Sequence, residues 1–217
     1  MQSEAITTPT ENSAQTLYDR FAHLYNLTFK VNRYAQSIER YLRDNPPPLS
    51  SGARILDAGC GTGLLTLALV RVLDRPARIT SVDLSTTSLR TARRALRNTN
   101  TRRKHQVTFA QANVLALPFP DETFEMVVTS GVLEYVSLHE GLAEMARVIA
   151  PGGYLMHLPV RPSFASRLLE VMFRFKTHPP AQVEQHTARH FRILDQYDFP
   201  PLDPIGWTKK IVMSQKQ

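Results

Sequence analysis

A doubly wound α/β fold is what this sequence predicts: a mostly parallel seven-stranded sheet behind an N-terminal helical cap. Two observations carry the expectation. From residue 53 onward, short apolar runs alternate with amphipathic stretches of about ten residues, the pattern of parallel strands joined by crossover helices. The first of those runs breaks into "ILDAGCGTG" (55–63), an acid and then glycines at alternate positions, which reads as a tight strand-to-helix turn.

The elements follow in chain order. Residues 1–13 are polar and read as a disordered tail. Between 14 and 44, apolar residues at 17, 21, 24, 31, 34, 38, 41 and 42 keep helical spacing, interrupted near Asn26, and predict the cap. "NPPPLSSG" (45–52) is a stiff linker, because its consecutive prolines forbid helix. The sheet domain is expected over 53–217. "ARILDA" (53–58) reads as a buried strand, and "ARITSVD" (77–83), "HQVTFAQ" (105–111), "FEMVVTS" (124–130) and "GGYLMHLPV" (152–160) read as the strands that follow it. Residues 64–73 read as a helix, as do 88–98, with Leu89, Ala92 and Leu96 on one face. A further helix over 139–150 places Leu142, Met145 and Ile149 at core spacing, and Ser137 with Glu140 forms a capping box before it. Past residue 160, "SFASRLLEVMFRFK" (163–176) reads as a helix, "HFRILDQYDF" (190–199) as a strand and "GWTKKIVMS" (206–214) as the final strand.

Composition narrows the class. Apolar content of 42% and charged content of 21% are those of a soluble globular protein. No apolar run approaches the roughly 20 residues that a membrane-spanning helix needs. The first residues have neither the basic start nor the apolar core of a secretory signal. One cysteine, Cys60, allows no intramolecular disulfide and fits a reducing, cytoplasmic setting. The net charge of +7 is concentrated: Arg90, Arg93, Arg94, Arg97, Arg102, Arg103 and Lys104 fall within fifteen positions. Such a run is either a solvated helix end whose cations complement the dipole, or an anion-binding face.

In a doubly wound sheet, ligands bind beyond the carboxyl ends of the strands, here just after 57, 83, 111, 130 and 159. Gly59, Gly61 and Gly63 let backbone N–H groups approach a ligand closely. The dinucleotide fingerprint, however, is G-x-G-x-x-G with a pyrophosphate at the helix N-terminus. The spacing here is G-x-G-x-G, and Asp57 stands two residues before it. An acid there disfavours pyrophosphate and favours a cation, such as the amino or sulfonium group of a methionyl moiety. Asp83, twenty residues after Gly63, stands where an acid accepts both ribose hydroxyls of an adenosyl ligand. Asp83 and Ser85 are equally candidates to cap the following helix, and the two roles are compatible.

Four blocks in order, "ILDAGCGTG", "VDLS", "ANVLALPFPDETFEMVVTSGVLEYV" and "EMARVIAPGGYL", resemble the class I S-adenosylmethionine-dependent methyltransferases. Within these they look most like the small-molecule group containing the ubiquinone and menaquinone biosynthesis enzymes. The likeness covers about residues 53–158, and "YDRFAHLYN" (18–26) is similar to an N-terminal element of that group. The resemblance implies a Rossmann-like fold and S-adenosyl-L-methionine as the methyl donor, leaving S-adenosyl-L-homocysteine. It would set Asp57, Gly59, Cys60, Gly61 and Gly63 at the methionine moiety and Asp83 at the ribose, with Leu84 on the adenine face. Asn113, where the family usually has Asp, and Val114 would meet the adenine edge. Ser130 would offer its carbonyl to the methionyl amine. Tyr18 and Tyr25 would close the pocket, and Val132, Tyr135 and His157 would face the substrate. Two departures stand out: "FE" (124–125) replaces Phe-Asp, and Tyr135 stands where many relatives have His.

Methyl transfer is an in-line displacement in which alignment does most of the catalysis, and a base is needed only if the nucleophile must lose a proton. His157, near the end of the fifth strand, is the candidate base, against a purely structural role for it and for His139. No Asn/Asp-Pro-Pro-aromatic run follows the fourth strand, no Pro-Cys pair occurs, and no His/Asp/Glu cluster has metal-ligand spacing. A metal and nucleic acid are therefore not expected, and a small organic substrate is. The 160–180 segment is either an ordinary helix or a wall for an apolar, lipid-like substrate taken from a membrane surface. The alternatives are methylation of RNA or protein through the basic 90–104 face, a non-catalytic adenosyl-binding subunit, and an NAD-dependent oxidoreductase, which the glycine spacing weakens. Oligomeric state has no signature in the chain.

Overall fold

The computed structural model describes residues 34–99, 104–163, 166, 170, 175–200 and 202–217. Tyr18 and Tyr25, with the rest of the expected tail and cap before residue 34, lie outside the described residues. So does most of 163–176, of which Ser166 and Glu170 are helical. Seven strands form one sheet in the order β3–β2–β1–β4–β5–β7–β6. They are β1 (Ala53–Ala58), β2 (Ala77–Asp83), β3 (Gln106–Gln111), β4 (Phe124–Ser130), β5 (Ile149–Leu158), β6 (Phe191–Asp198) and β7 (Lys210–Lys216). The helices are α1 (Tyr34–Asp44), α2 (Leu64–Val72), α3 (Thr86–Arg97), α4 (Leu138–Val148) and α5 (Pro180–Thr187).

Strands β1 to β5 pair in parallel, whereas β7 lies antiparallel to both β5 and β6. The chain winds outward from β1 through β2 to β3, then returns to place β4 on the other side of β1. The strand order thus reverses between β1 and β4, and a crevice for a ligand opens at their carboxyl ends. Each face of the sheet carries its own core. On one face, Ile55, Val128, Met156 and Leu158 pack with Tyr34, Ile38 and Tyr41 of α1 and with Leu65 and Leu69 of α2. On the other, Leu56, Val127 and Leu155 pack with Leu142 and Met145 of α4 and Val183 of α5. The period-two alternation of β5 puts His157 on the side of Leu155. Helix α1 is tied down through the buried Glu39, which accepts from Arg71 at 2.9 Å, and through Ser37, which donates to Asp203.

Differences from the expected elements have local causes. β5 starts at Ile149, before the expected 152, because Ile149 already pairs with Phe124; the register then shifts before Met126 meets Tyr154. Helix α4 accordingly stops at Val148. The last strand begins at Lys210, since Gly206 and Trp207 belong to a 3₁₀ turn over Pro204–Trp207. Helix α5 was not expected at all: its apolar signal is minimal, with only Val183 and Thr187 buried. The caps match the sequence reading, as Ser137 accepts from Glu140 N and Ser85 from Ser88 N.

The basic run has a definite address. Helix α3 runs back from the carboxyl edge, so Arg94 and Arg97 end up at the opposite, amino edge of the sheet. There Lys104 Nζ donates to Leu73 O at 3.3 Å. Arg102 and Arg103 lie outside the described residues. Among the described residues, no helix is long and apolar enough to cross a membrane.

Candidate functional site

The glycine turn joins β1 to α2 at the reversal point. Gly59, Gly61 and Gly63 all take positive φ, at 71°, 53° and 89°. The turn is stitched to its neighbour strand: Cys60 N donates to Val82 O at 2.8 Å, and Gly61 N donates to Asp83 Oδ2 at 2.8 Å. The other carboxylate oxygen of Asp83 accepts from Ser85 N at 2.9 Å. Asp83 therefore clamps the turn from the end of β2, with its carboxylate at the edge of the crevice. The Cys60 thiol donates to Gly61 O at 3.7 Å and stays protonated, because burial pushes it far above the ordinary range, helped by the charges of Asp57 and Asp83.

Asp57 is fully buried at the end of β1. Its Oδ2 accepts from Thr66 Oγ1 at 2.6 Å, and Thr66 in turn shares a 2.8 Å bond with Ser81 Oγ. Its Oδ1 has no partner among the described residues. An orphaned acceptor under a turn with glycine at every other position fits a cationic donor such as a methionyl amine. Burial pushes the Asp57 carboxyl up to about 7, with the charge of Asp83 adding to it and the Thr66 bonds opposing it. A carboxyl raised in the folded state holds a proton that the unfolded chain has released, so stability falls as pH rises from about 4 to about 7. Without ligand, Asp57→Asn is expected to gain on the wild type across that interval by up to about 4 kcal/mol, following the rise from 3.8 to about 7. Urea unfolding at both ends of the interval measures it; a constant difference between the two proteins would sink the assignment.

The remaining expected residues gather along the same edge. Leu84 is 48% exposed beside Asp83. Asn113 is exposed and spends its Oδ1 on Leu115 N at 3.0 Å, while Val114 is buried. Ser130 ends β4, its hydroxyl 2.7 Å from Tyr34 Oη. Val132 leans on the turn, filling the space a Gly59 side chain would take. Tyr135 sits at the rim, its ring centroid 5.7 Å from that of Phe175. His157 is enclosed, and neither ring nitrogen has a partner among the described residues. Burial lowers its pKa to about 4, so it is a neutral imidazole at pH 7 and a weaker base than an ordinary histidine.

Three residues of this edge escaped the sequence reading. Tyr34 counted only as an apolar position of the cap, yet it bonds to Ser130. Glu134, inside the quoted "LEY", is buried and directs Oε1 to Val160 N at 2.6 Å. Lys209, read as part of a strand, is buried and donates to Leu158 O at 3.3 Å.

A family model described as a methyltransferase domain matches residues 55–153. The chain is 29% identical over 189 residues to the 2-phytyl-1,4-naphtoquinone methyltransferase of Thermosynechococcus vestitus, across 85% of this chain and 79% of that one. It is 34% identical to the fatty-acid O-methyltransferase of Mycolicibacterium smegmatis over 62% of this chain, spanning only 46% of that relative. Among solved structures, that of the [4+2]-cyclase SpnF superposes with a TM-score of 0.73 at 20% identity, covering 98% of this chain and 99% of the other. The last match is one of fold alone, and its name is a reminder that this fold hosts more than one chemistry.

Proposed function

We propose that the chain is a class I S-adenosylmethionine-dependent methyltransferase of the group that holds the quinone methyltransferases, and that it methylates a small apolar or aromatic molecule. A quinone precursor, a lipid or a secondary metabolite fits. One observation carries the reading: Val132 rests on Gly59, so the cofactor turn opens directly onto a rim built of Val132, Tyr135 and Phe175. The relatives support it, one named for a naphthoquinone and the other for fatty acids. When bound, the cofactor supplies an electrophilic methyl group. The chain's part is to hold its polar groups at Asp57, the turn and Asp83, and to exclude water from the acceptor.

Incubation with methyl-labelled cofactor tests the proposal, offering a reduced demethylated naphthoquinone, a long-chain fatty acid, total RNA and total protein in parallel. Label is expected in one of the first two. Label in RNA or protein alone would overturn the reading, and label nowhere, with tight S-adenosylhomocysteine binding, would favour the non-catalytic alternative. Arg94, Arg97 and Lys104 give RNA little support, since they lie toward the edge opposite the turn.

The expected setting is the cytoplasm, where the Cys60 thiol stays reduced. The carboxyl edge also suits contact with a membrane surface, because Leu202 (97% exposed) and Trp207 (60%) precede Lys209 there. Trp207 is the sole tryptophan. Its emission is expected to move to shorter wavelength with vesicles containing anionic lipid; an unchanged spectrum argues that substrate arrives from solution.

A further inference from the structure

Among the described residues, two carboxyl oxygens are buried without any hydrogen-bond partner: Asp57 Oδ1 and Glu134 Oε2. The first belongs to the cofactor side of the crevice. The second belongs to the loop after β4, two residues past Val132, which covers Gly59. Glu134 is 5% exposed and uses only Oε1, on Val160 N. An ionisable oxygen buried without a donor is costly, and a native chain keeps one where something else supplies the donor.

The surroundings say what that donor is attached to. Groups from four elements feel the Glu134 charge: Tyr34 of α1, Tyr135 of the same loop, His157 of β5 and Lys209 next to β7. Lys209 is itself buried and donates to Leu158 O at 3.3 Å, and the charge of Glu134 favours its ammonium form against the lowering effect of burial. His178 stands beside the same loop, its Nε2 3.2 Å from Leu133 O. Charged groups thus gather next to the apolar side chains of Val132, Tyr135 and Phe175.

Building on the methyl-transfer reading, we infer that Glu134 is a catalytic residue whose Oε2 accepts the proton of a phenolic or enolic hydroxyl on the acceptor. As the acceptor's oxygen bonds to the methyl carbon, the sulfur–carbon bond breaks and its electron pair stays on sulfur. Where the conjugated carbon attacks instead, that carbon afterwards gives its own hydrogen to solvent as a proton and the hydroxyl reforms. The hydroxyl proton passes to Glu134, which releases it to solvent after the product leaves. Lys209 is a positioning residue here, its charge holding the acceptor oxygen as it becomes negative.

The test uses binding, not turnover. With S-adenosylhomocysteine saturating, the wild type is expected to bind 1-naphthol about tenfold or more tighter than 1-methoxynaphthalene, as removal of a hydrogen bond to a charged group requires. Glu134→Gln keeps an acceptor for Val160 N; it is expected to bind the two probes equally and S-adenosylhomocysteine as before. On the wild type, bound 1-naphthol is expected to emit as the naphtholate, because a photoacid in a dry site needs an adjacent base. Emission as neutral naphthol, no discrimination by the wild type, binding of neither probe, or an equal loss of both in the variant would each overturn the inference. Failure of the wild type to bind S-adenosylhomocysteine would instead strike the methyl-transfer reading beneath it.

Discussion

Asp83→Ala is expected to weaken S-adenosylhomocysteine binding by at least a hundredfold, as measured by calorimetry. The carboxylate does two things at once. It accepts from Gly61 N and Ser85 N, and so holds the glycine turn against the start of α3. It also presents the acceptors that a ribose diol would use, at the strand end where such an acid belongs. Each charge-assisted bond is worth about 1.5–3 kcal/mol, so losing two removes on the order of a hundredfold to ten-thousandfold in affinity. Asp83→Asn keeps one acceptor and is expected to fall in between. Melting temperature without ligand separates the two jobs, since the clamp acts in the free protein and the ribose contact does not. Affinity within threefold of wild type for the alanine variant would remove Asp83 from the cofactor site, and binding of NAD in place of S-adenosylhomocysteine would remove the site itself.

What the sequence disclosed about this edge depends on how local each feature is. The turn was readable because positive φ selects residue type: Gly59, Gly61 and Gly63 declare it without any partner. Asp57 and Asp83 were readable because each ends a strand with its own periodicity. The antiparallel β7–β6 ribbon was seen only as two strands, because their pairing is a tertiary choice that no single run records. Helix α5 carried too little apolar pattern to register, with Val183 and Thr187 its only buried positions. Glu134 and Lys209 lie 75 positions apart, and their meeting comes from the reversal of β7 against β5, which brings Lys209 opposite Val160. A glutamate beside a leucine looks like any solvated loop residue until that reversal is known. Tyr34 was hidden differently, as its apolar body satisfied the helical pattern while its hydroxyl did the work at Ser130.

The turn itself offers the more severe test. Gly59→Ala would place a Cβ 2.0 Å from Val132 Cγ2 and 3.0 Å from Val132 Cβ, on a backbone held at φ 71°. Two separate costs arise. An L-residue in the left-handed region costs roughly 1–2 kcal/mol, and overpacking against the half-buried Val132 costs typically 1–3 kcal/mol more. The variant is expected to lose about 2–5 kcal/mol of stability in urea and to bind S-adenosylhomocysteine too weakly to measure, since Val132 must move into the crevice to admit the methyl group. Val132→Ala in the same chain separates the terms. It removes the atoms nearest the new Cβ, so the double variant is expected to recover the overpacking share and keep the φ cost. A double variant no better than Gly59→Ala would mean that the backbone conformation alone forbids a side chain there. Full recovery would mean that the turn tolerates one, and that Gly59 is glycine only to make room for Val132. Partial recovery of stability with restored binding is the expected result. It would establish the contact between Val132 and the turn as the joint where the cofactor half of the crevice meets the acceptor half.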